Sequence, residues 1–347
     1  MRPYIRLCKQ NFSIDIERVA GLIAETQKQS GEIPWCEGEK TDPWDHVEAA
    51  MGLVIGGYLQ EAKKAYEWLA RMQLVDGSWY AAYVNGIPVD KTRDTNFSVY
   101  IAVGVFHYYL VTGDYHFLKQ MWPIVKSVVT FALDLQRPGG EICWAISPEG
   151  KIDPTALLTG SSSVYMSIKC ATAIAKLLNI AVPKWEAGLI RLRHALVNRP
   201  DRFDKAKSRY SMDWFYPVLS GAVTGAQARQ RIEKYWDTFV ISGKGVRCVS
   251  DRPWVTVAET CELSLALAAM GNMGLSETVF GWICNRTNPD GSYWCGFTCP
   301  DMTVWPKYKS TWTNAAVLMA ADAIYELTAA CRLFSHRFWR GHFSKDF

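Results

Sequence analysis

DGSWYAAYVNGIPVDKTRDTNFS, residues 76–98, decides the reading of this chain. It is a long polar and aromatic loop. A tight glycine turn opens it (Asp76, Gly77, Ser78, Trp79), and Thr92, Arg93, Asp94 and Thr95 close it, a cluster suited to capping the apolar helix that follows. A distant stretch echoes it: Asp290, Gly291, Ser292, Tyr293 and Trp294 open a second loop, and Tyr308, Lys309, Ser310, Thr311, Trp312 and Thr313 lead into the last helix. Two segments with the same opening, length class and exit imply an internal repeat, and such repeats set a whole fold.

Outward from these loops, helical periodicity alternates two kinds of segment. Amphipathic, charged helices are predicted over 14–29, 61–73, 115–135, 183–198, 226–239 and 276–286. Apolar helices, several of them rich in small residues that allow close packing, are predicted over 45–58, 96–111, 161–178, 210–220, 255–270 and 313–327. Long loops precede the apolar helices and short turns follow them. Twelve helices in six pairs predict an all-α (α/α)6 toroid, with an inner ring, an outer ring and six long loops gathered at one end. Short hairpins inside the loops, for example over 79–84, are expected extras.

Nothing between residues 42 and 327 of the 347 reads as a linker, so one domain is expected over 1–334, followed by a basic and aromatic tail over 335–347. Apolar residues make up 49% and charged ones 21%, a globular balance, and the net charge of +4 is too small and scattered for a nucleic-acid partner. No apolar run reaches the roughly 20 residues of a transmembrane span. The ten cysteines form no CxxC pair, and the start of the chain has neither an apolar signal core nor a charged leader, so a reduced, cytoplasmic protein is expected. Neither His46, His107 nor the cysteines show ligand spacing. The expectation is no metal and no cofactor, while oligomeric state stays open.

Nine of the 15 tryptophans (Trp35, Trp44, Trp79, Trp144, Trp214, Trp254, Trp294, Trp305, Trp312) fall in the loops or at the apolar helix starts. In a toroid they would converge on one mouth, where indole faces suit a sugar or an extended apolar ligand. Acids collect there too. Asp45 and Glu48, beside His46, lie three apart on the first apolar helix, and Glu259 and Glu262 repeat that spacing on the fifth. Asp94, Asp153, Asp213, Asp251 and Asp301 occupy the other loops. Glycoside cleavage needs one protonated carboxyl and one carboxylate opposite, roughly 6.5–9.5 Å apart if water attacks with inversion. A ring of acids can supply such a pair, with Arg93, Arg252 and the remaining acids binding hydroxyls of a saccharide or glycoconjugate.

Over about 42–330 the chain resembles the six-hairpin glycosidases, most nearly the glucoamylase-type hydrolases. KTRDTNFSVYIAVGVFHYYLVTGD, residues 91–114, is similar to their segment in which an Arg-Asp pair binds the nonreducing sugar ahead of a long helix. Trp122 to Val125, Gly160 to Ser163, and Thr311 to Ala316 resemble their later helix entries. The family's general acid is a Glu before the position of Gly160, where this chain has Ala156, Leu157 and Leu158. Its base is a Glu in the final loop, where this chain offers Asp301. The resemblance therefore makes Asp153 the acid and Asp301 the base, with Asp94 or Glu259 as alternatives for either role.

A second resemblance, Gln73 to Trp79 (QLVDGSW), is to the Q, G, W repeat of triterpene cyclases and prenyltransferase β subunits. There the repeat ties outer helices to the following turn, and the same structural role is expected here. An isoprenoid enzyme and a noncatalytic saccharide-binding toroid stand as the alternatives. Opposed acids across a polar mouth would favour a hydrolase. An apolar lumen with one buried acid would favour terpenoid chemistry.

Overall fold

The computed structural model describes residues 6–9 and 12–342. Its helices are α1 (Ile16–Thr26), α2 (Pro43–Ile55), α3 (Leu59–Met72), α4 (Thr95–Val99), α5 (Ile101–Thr112), α6 (Tyr115–Asp134), α7 (Leu158–Leu177), α8 (Pro183–Asn198), α9 (Ser211–Leu219), α10 (Gly225–Phe239), α11 (Val257–Ala269), α12 (Met273–Gly281), α13 (Thr311–Tyr325) and α14 (His336–His342). Packing order closes the inner ring: α2 packs on α5, α5 on α7, α7 on α9, α9 on α11, α11 on α13 and α13 back on α2. The remaining long helices, α1, α3, α6, α8, α10 and α12, form the outer layer against that ring. The all-α toroid is therefore the fold.

Inner helices are buried on nearly every side, as α7 shows from Ser161 to Ala175, which explains their lack of a polar face. Outer helices bury one stripe, as α3 does with Ala62, Ala65, Tyr66, Trp68 and Leu69. Element bounds differ from expectation where local bonding intervenes. The helix expected from residue 14 starts at Ile16, because Phe12–Asp15 pairs as β2 with β1 (Arg6–Lys9) and Asp15 then caps the helix. The second inner element divides at Tyr100 into α4 and α5. The outer helix expected over 276–286 runs instead over Met273–Gly281, because Asn272 caps it at Leu275.

The internal repeat has a physical basis at atomic level. In both DGS turns the aspartate accepts from the serine N–H and hydroxyl two residues on: Asp76 from Ser78 at 3.0 and 2.6 Å, Asp290 from Ser292 at 3.1 and 2.7 Å. The second carboxylate oxygen binds a cation from the far end of the loop, Arg93 at 2.5 Å and Lys309 at 2.6 Å. Gln73 donates to Gly77 O and, across to the next outer helix, Ile124 O. Gln27 does the same to Gly31 O and Glu61 O, and Gln136 to Gly140 O and Gly188 O. Gly77 has φ +90°, and a Cβ there would meet the Ser127 backbone at 2.6 Å, so only glycine fits. The Q, G, W resemblance is thus a structural tie between outer helices, as expected, and it recurs at Gln27 and Gln136, which sequence reading overlooked.

Small sheets stiffen the loop end. Strands β3 (Ala82–Val84) and β4 (Ile87–Asp90) make a hairpin just beyond the expected start at residue 79. Strands β5 (Arg93–Asp94), β6 (Ala145–Ile146) and β7 (Ile152–Asp153) link two loops. Strands β8 (Val240–Ile241), β9 (Gly245–Arg247), β10 (Trp254–Thr256) and β11 (Gly296–Thr298) link two more. Of the segment expected as a tail, α14 docks on the opposite end, and 343–347 lie outside the described residues. Trp339 of α14 is buried against Phe106, and His336 Nε2 donates to Val218 O at 2.7 Å. No helix among the described residues is long and apolar enough to cross a membrane.

Candidate active site

Helix α2 enters the ring through a built cap. Asp42 accepts from Asp45 N at 2.9 Å with one oxygen and from Trp35 Nε1 at 2.5 Å with the other, and Pro43 starts the first turn. Asp45 follows on that turn, half-buried, and its carboxyl makes no hydrogen bond or ion pair among the described residues. Glu48 lies one turn deeper and is fully buried. Its Oε1 accepts from Trp44 Nε1 at 2.8 Å and Tyr100 Oη at 2.9 Å, while Oε2 has no partner.

Helix α11 presents the facing pair. Glu259 lies in its first turn and Glu262 one turn deeper, both buried, each with an unpartnered Oε2. In the closed ring α13 separates α2 from α11, so these four acids meet across the lumen and not across a helix contact. They form two layers, Asp45 with Glu259 nearer the loops and Glu48 with Glu262 below. None of the four forms an ion pair among the described residues.

The electrostatics follow. Burial pushes the Asp45 carboxyl well above the usual carboxylate range, the charges of Asp42, Glu48 and Glu259 push the same way, and Lys40 opposes them. Burial raises Glu48 to about 7 against the hydrogen bonds from Trp44 and Tyr100. Glu262 is raised well above its ordinary value by burial, then by Glu48, Glu259 and Asp45. Burial and like charge thus shift Asp45, Glu48 and Glu262 toward the protonated form, the direction a general acid requires.

Aromatics wall the floor. Trp44 packs against Phe97, Tyr100 and Tyr216 with ring centroids 5.9, 5.5 and 5.7 Å away. Asp94 caps α4 by accepting from Phe97 N at 2.9 Å, and burial raises it to about 7. Beside it opens a cavity of about 250 Å³ lined mainly by apolar groups, among them Trp44, Phe97, Ile142, Trp144, Leu157 and Val164. At the loop end, Trp254 Nε1 donates to Trp305 O at 2.8 Å and the two rings lie 5.2 Å apart, leaving Trp305 58% exposed.

Several expected site residues are engaged in structural contacts. His46 is buried between a loop and α3: Nδ1 accepts from Ile33 N at 3.1 Å, Nε2 faces Ala65 O at 3.0 Å, and burial lowers its pKa to about 4. Trp79 is 1% exposed and donates to Leu69 O at 2.8 Å, and Trp214 is 2% exposed, stacked on Phe239 and bonded to Arg231 O. These three cannot touch a ligand, which corrects the expectation that they bind one. Arg93 is held by Asp76, and Asp251 by Arg209 at 2.6 Å. Arg252 is exposed in the same loop. Trp35 lies under Lys40 at 4.3 Å, and Trp294 lies against Phe297 and near Arg286.

Asp153 and Asp301 sit in turns. Asp153 accepts from Thr155 N at 2.9 Å, which holds its pKa below the usual range, so it stays ionised at the pH where an acid must hold a proton. Asp301 accepts from Thr298 Oγ1 at 2.5 Å and Thr303 Oγ1 at 2.6 Å, again holding it low. Asp42, Tyr100 and Tyr216 went unnoticed in the sequence. The three-residue spacings Asp45/Glu48 and Glu259/Glu262 were the legible signal for the facing acids. Four mutually interacting carboxyls from α2 and α11 match the opposed acids expected of a hydrolase better than the single buried acid expected for terpenoid chemistry.

No family model matches the chain. It is 47% identical over 317 residues, 91% of its length and 88% of the relative's, to an MMP endo-(1,4)-3-O-methyl-alpha-D-mannosidase of Mycolicibacterium hassiacum. Among solved structures, a GH63 mannosylglycerate hydrolase from Thermus thermophilus in complex with glucose has a TM-score of 0.68 at 11% identity, covering 87% of this chain and 99% of that one. A glycosidase in complex with glucose has a TM-score of 0.71 at 13% identity, covering 90% and 96%.

Proposed function

The chain belongs to the glycosidase family of that endo-mannosidase, within the six-hairpin superfamily, and on this premise we propose that it hydrolyses internal α-(1,4) bonds of a 3-O-methylmannose oligosaccharide. Asp45 is the general acid and Glu259 the general base in this reading. One observation carries the assignment: Asp45 on α2 and Glu259 on α11 act on each other as like charges, Asp45 without a hydrogen-bond or ion-pair partner among the described residues and Glu259 with its Oε2 unpartnered.

Asp45 holds its proton because it is enclosed and surrounded by like charge, and it gives that proton to the leaving glycosidic oxygen. Glu259, on a helix that is not a ring neighbour of α2, leaves room for the water that an inverting displacement needs. Glu48 and Glu262 below lie in the same enclosed group of acids, and any charge they carry opposes ionisation of Asp45, which favours the protonated form of the acid. Trp44 and Phe97 offer faces to the sugar ring, and the apolar cavity beside Asp94 suits a methyl ether. The rim pair Trp254 and Trp305 supplies a further stacking surface, as a substrate longer than one sugar requires. The nine free cysteines among the described residues fit a reducing, cytoplasmic setting.

The test is incubation with α-(1,4)-linked 3-O-methylmannose oligosaccharides, following chain lengths by mass and the anomer of the new reducing end by NMR. Internal fragments appearing first as the β-anomer support the reading. An intact substrate, or first products of single sugars alone, refutes it.

A further inference from the structure

At the end of the toroid opposite the four acids, a second group of charges is assembled, all of one sign. Lys169 of α7 is 5% exposed, and its Nζ gives one hydrogen bond, to Ser220 O at 3.0 Å. Its other neighbours are the rings of Trp339 and Tyr165, with centroids 4.5 and 5.3 Å away. It lines a cavity of about 100 Å³ together with Arg193, His336 and Arg340, and among the described residues none that lines it is acidic. Lys169, Arg193 and Arg340 form no ion pair among the described residues.

Burial of an ammonium without a counter-charge is costly. Burial lowers Lys169 to about 7 and Arg193 adds repulsion, while His336, lowered to about 4 mainly by burial, is further opposed by Lys169 and Arg340. The backbone keeps the space in front of the ammonium open: Gly221 has φ +74°, and a Cβ there would lie 3.2 Å from Nζ. Three elements from distant parts of the chain, α7, α8 and α14, contribute the charges.

The cavity continues, through Thr224, His336 and Arg340, into a groove of about 890 Å³. Arg229 and Arg337 line the groove without ion partners among the described residues, and Arg332 pairs with Glu326 at 2.9 Å. Leu265, Met270, Phe334 and Phe338 give it an apolar side.

We propose that this cavity is a second ligand site, which binds a phosphate-type oxyanion between Lys169, Arg193 and Arg340 at the end of the toroid remote from the hydrolytic acids. The volume admits one tetrahedral anion, and three convergent donors of positive charge match its oxygens. The anion comes either as free phosphate or as the head of an alkyl phosphate whose chain lies along the apolar side of the groove.

Calorimetric titration of the intact protein with inorganic phosphate, and separately with dodecyl phosphate below its micelle concentration, tests this. Saturable one-to-one binding of either probe, weakened roughly tenfold or more in Lys169→Met and in Arg340→Gln, supports the site, since each removes a charge-assisted contact. Binding of both probes in competition assigns free phosphate as sufficient. Binding of dodecyl phosphate alone assigns the alkyl form. No binding of either probe at millimolar concentration overturns the proposal, as does binding that Arg193→Gln and Arg340→Gln leave unchanged, so the result stands even if Lys169→Met fails to fold. Hydrolysis is not the readout, and the outcome is independent of the assignment of Asp45 and Glu259.

Discussion

Replacing Glu48 with glutamine probes the charge balance of the lumen quantitatively. The Glu48 carboxyl is raised from 4.5 to about 7 in the folded chain, chiefly by burial. Below pH about 4.5 both folded and unfolded chains hold the proton and nothing is lost. Between about 4.5 and 7 the unfolded chain releases its proton first, so folded stability falls as pH rises, and above about 7 the loss is complete. At about 1.4 kcal/mol per pKa unit this amounts to something on the order of 3 kcal/mol. A glutamine keeps Oε1 as acceptor for Trp44 Nε1 and Tyr100 Oη and puts an NH2 where Oε2 has no partner, so it avoids the ionisation while keeping both existing hydrogen bonds. For a chain of this size, 3 kcal/mol corresponds to roughly 4 °C in Tm. Thermal unfolding of both proteins from about pH 5 to 8.5 should give nearly equal Tm at the acid end and a Glu48→Gln protein about 4 °C more stable at the alkaline end. A variant less stable at pH 8.5, or a difference that does not change with pH, would refute the account of this carboxyl.

Three further outcomes are expected. Asp153→Asn and Asp301→Asn should each leave kcat/KM within about twofold, since both acids serve their own turns; a loss approaching the 10²-fold typical of a general acid or base would return them to the site. Leu157→Phe should fill the apolar cavity beside Asp94 and erase a preference of roughly tenfold for methylated over unmethylated oligosaccharide, read from competing-substrate kcat/KM; an unchanged ratio would place the methyl group elsewhere. Gly77→Ala should cost about 2–5 kcal/mol by denaturant unfolding, combining a positive-φ residue with a 2.6 Å clash on Ser127, and a cost under about 1 kcal/mol would show that the loop can shift.

The fold was legible because its causes are local and repeated. Asp76-Gly77-Ser78 and Asp290-Gly291-Ser292 make the same turn for the same reasons, and the contrast between all-round apolar and one-sided helices follows from lying in the inner or outer ring. The aromatic mouth was legible only in part. Trp79 and Trp214 sit in loops or at helix starts like Trp44, but their indole N–H groups reach outer-helix carbonyls, and periodicity carries no information about that direction. The acids show the same limit. Asp153 and Asp301 occupy family-like positions, yet short-range hydrogen bonds consume them, whereas Asp45 and Glu259, the proposed pair, come within each other's influence only when the ring closes. The i, i+3 spacing on α2 and α11 was the one linear trace of the facing pairs.

The most direct test of the central claim is a comparison of Asp45→Asn and Glu259→Gln with the parent chain, in hydrolysis of an α-(1,4)-linked 3-O-methylmannose oligosaccharide, with folding checked by circular dichroism. The account predicts folded variants whose kcat falls by roughly 10²–10⁴, with Asp45→Asn partly recovering on a substrate whose leaving group needs no proton. Folded variants that cleave at the parent rate would contradict it.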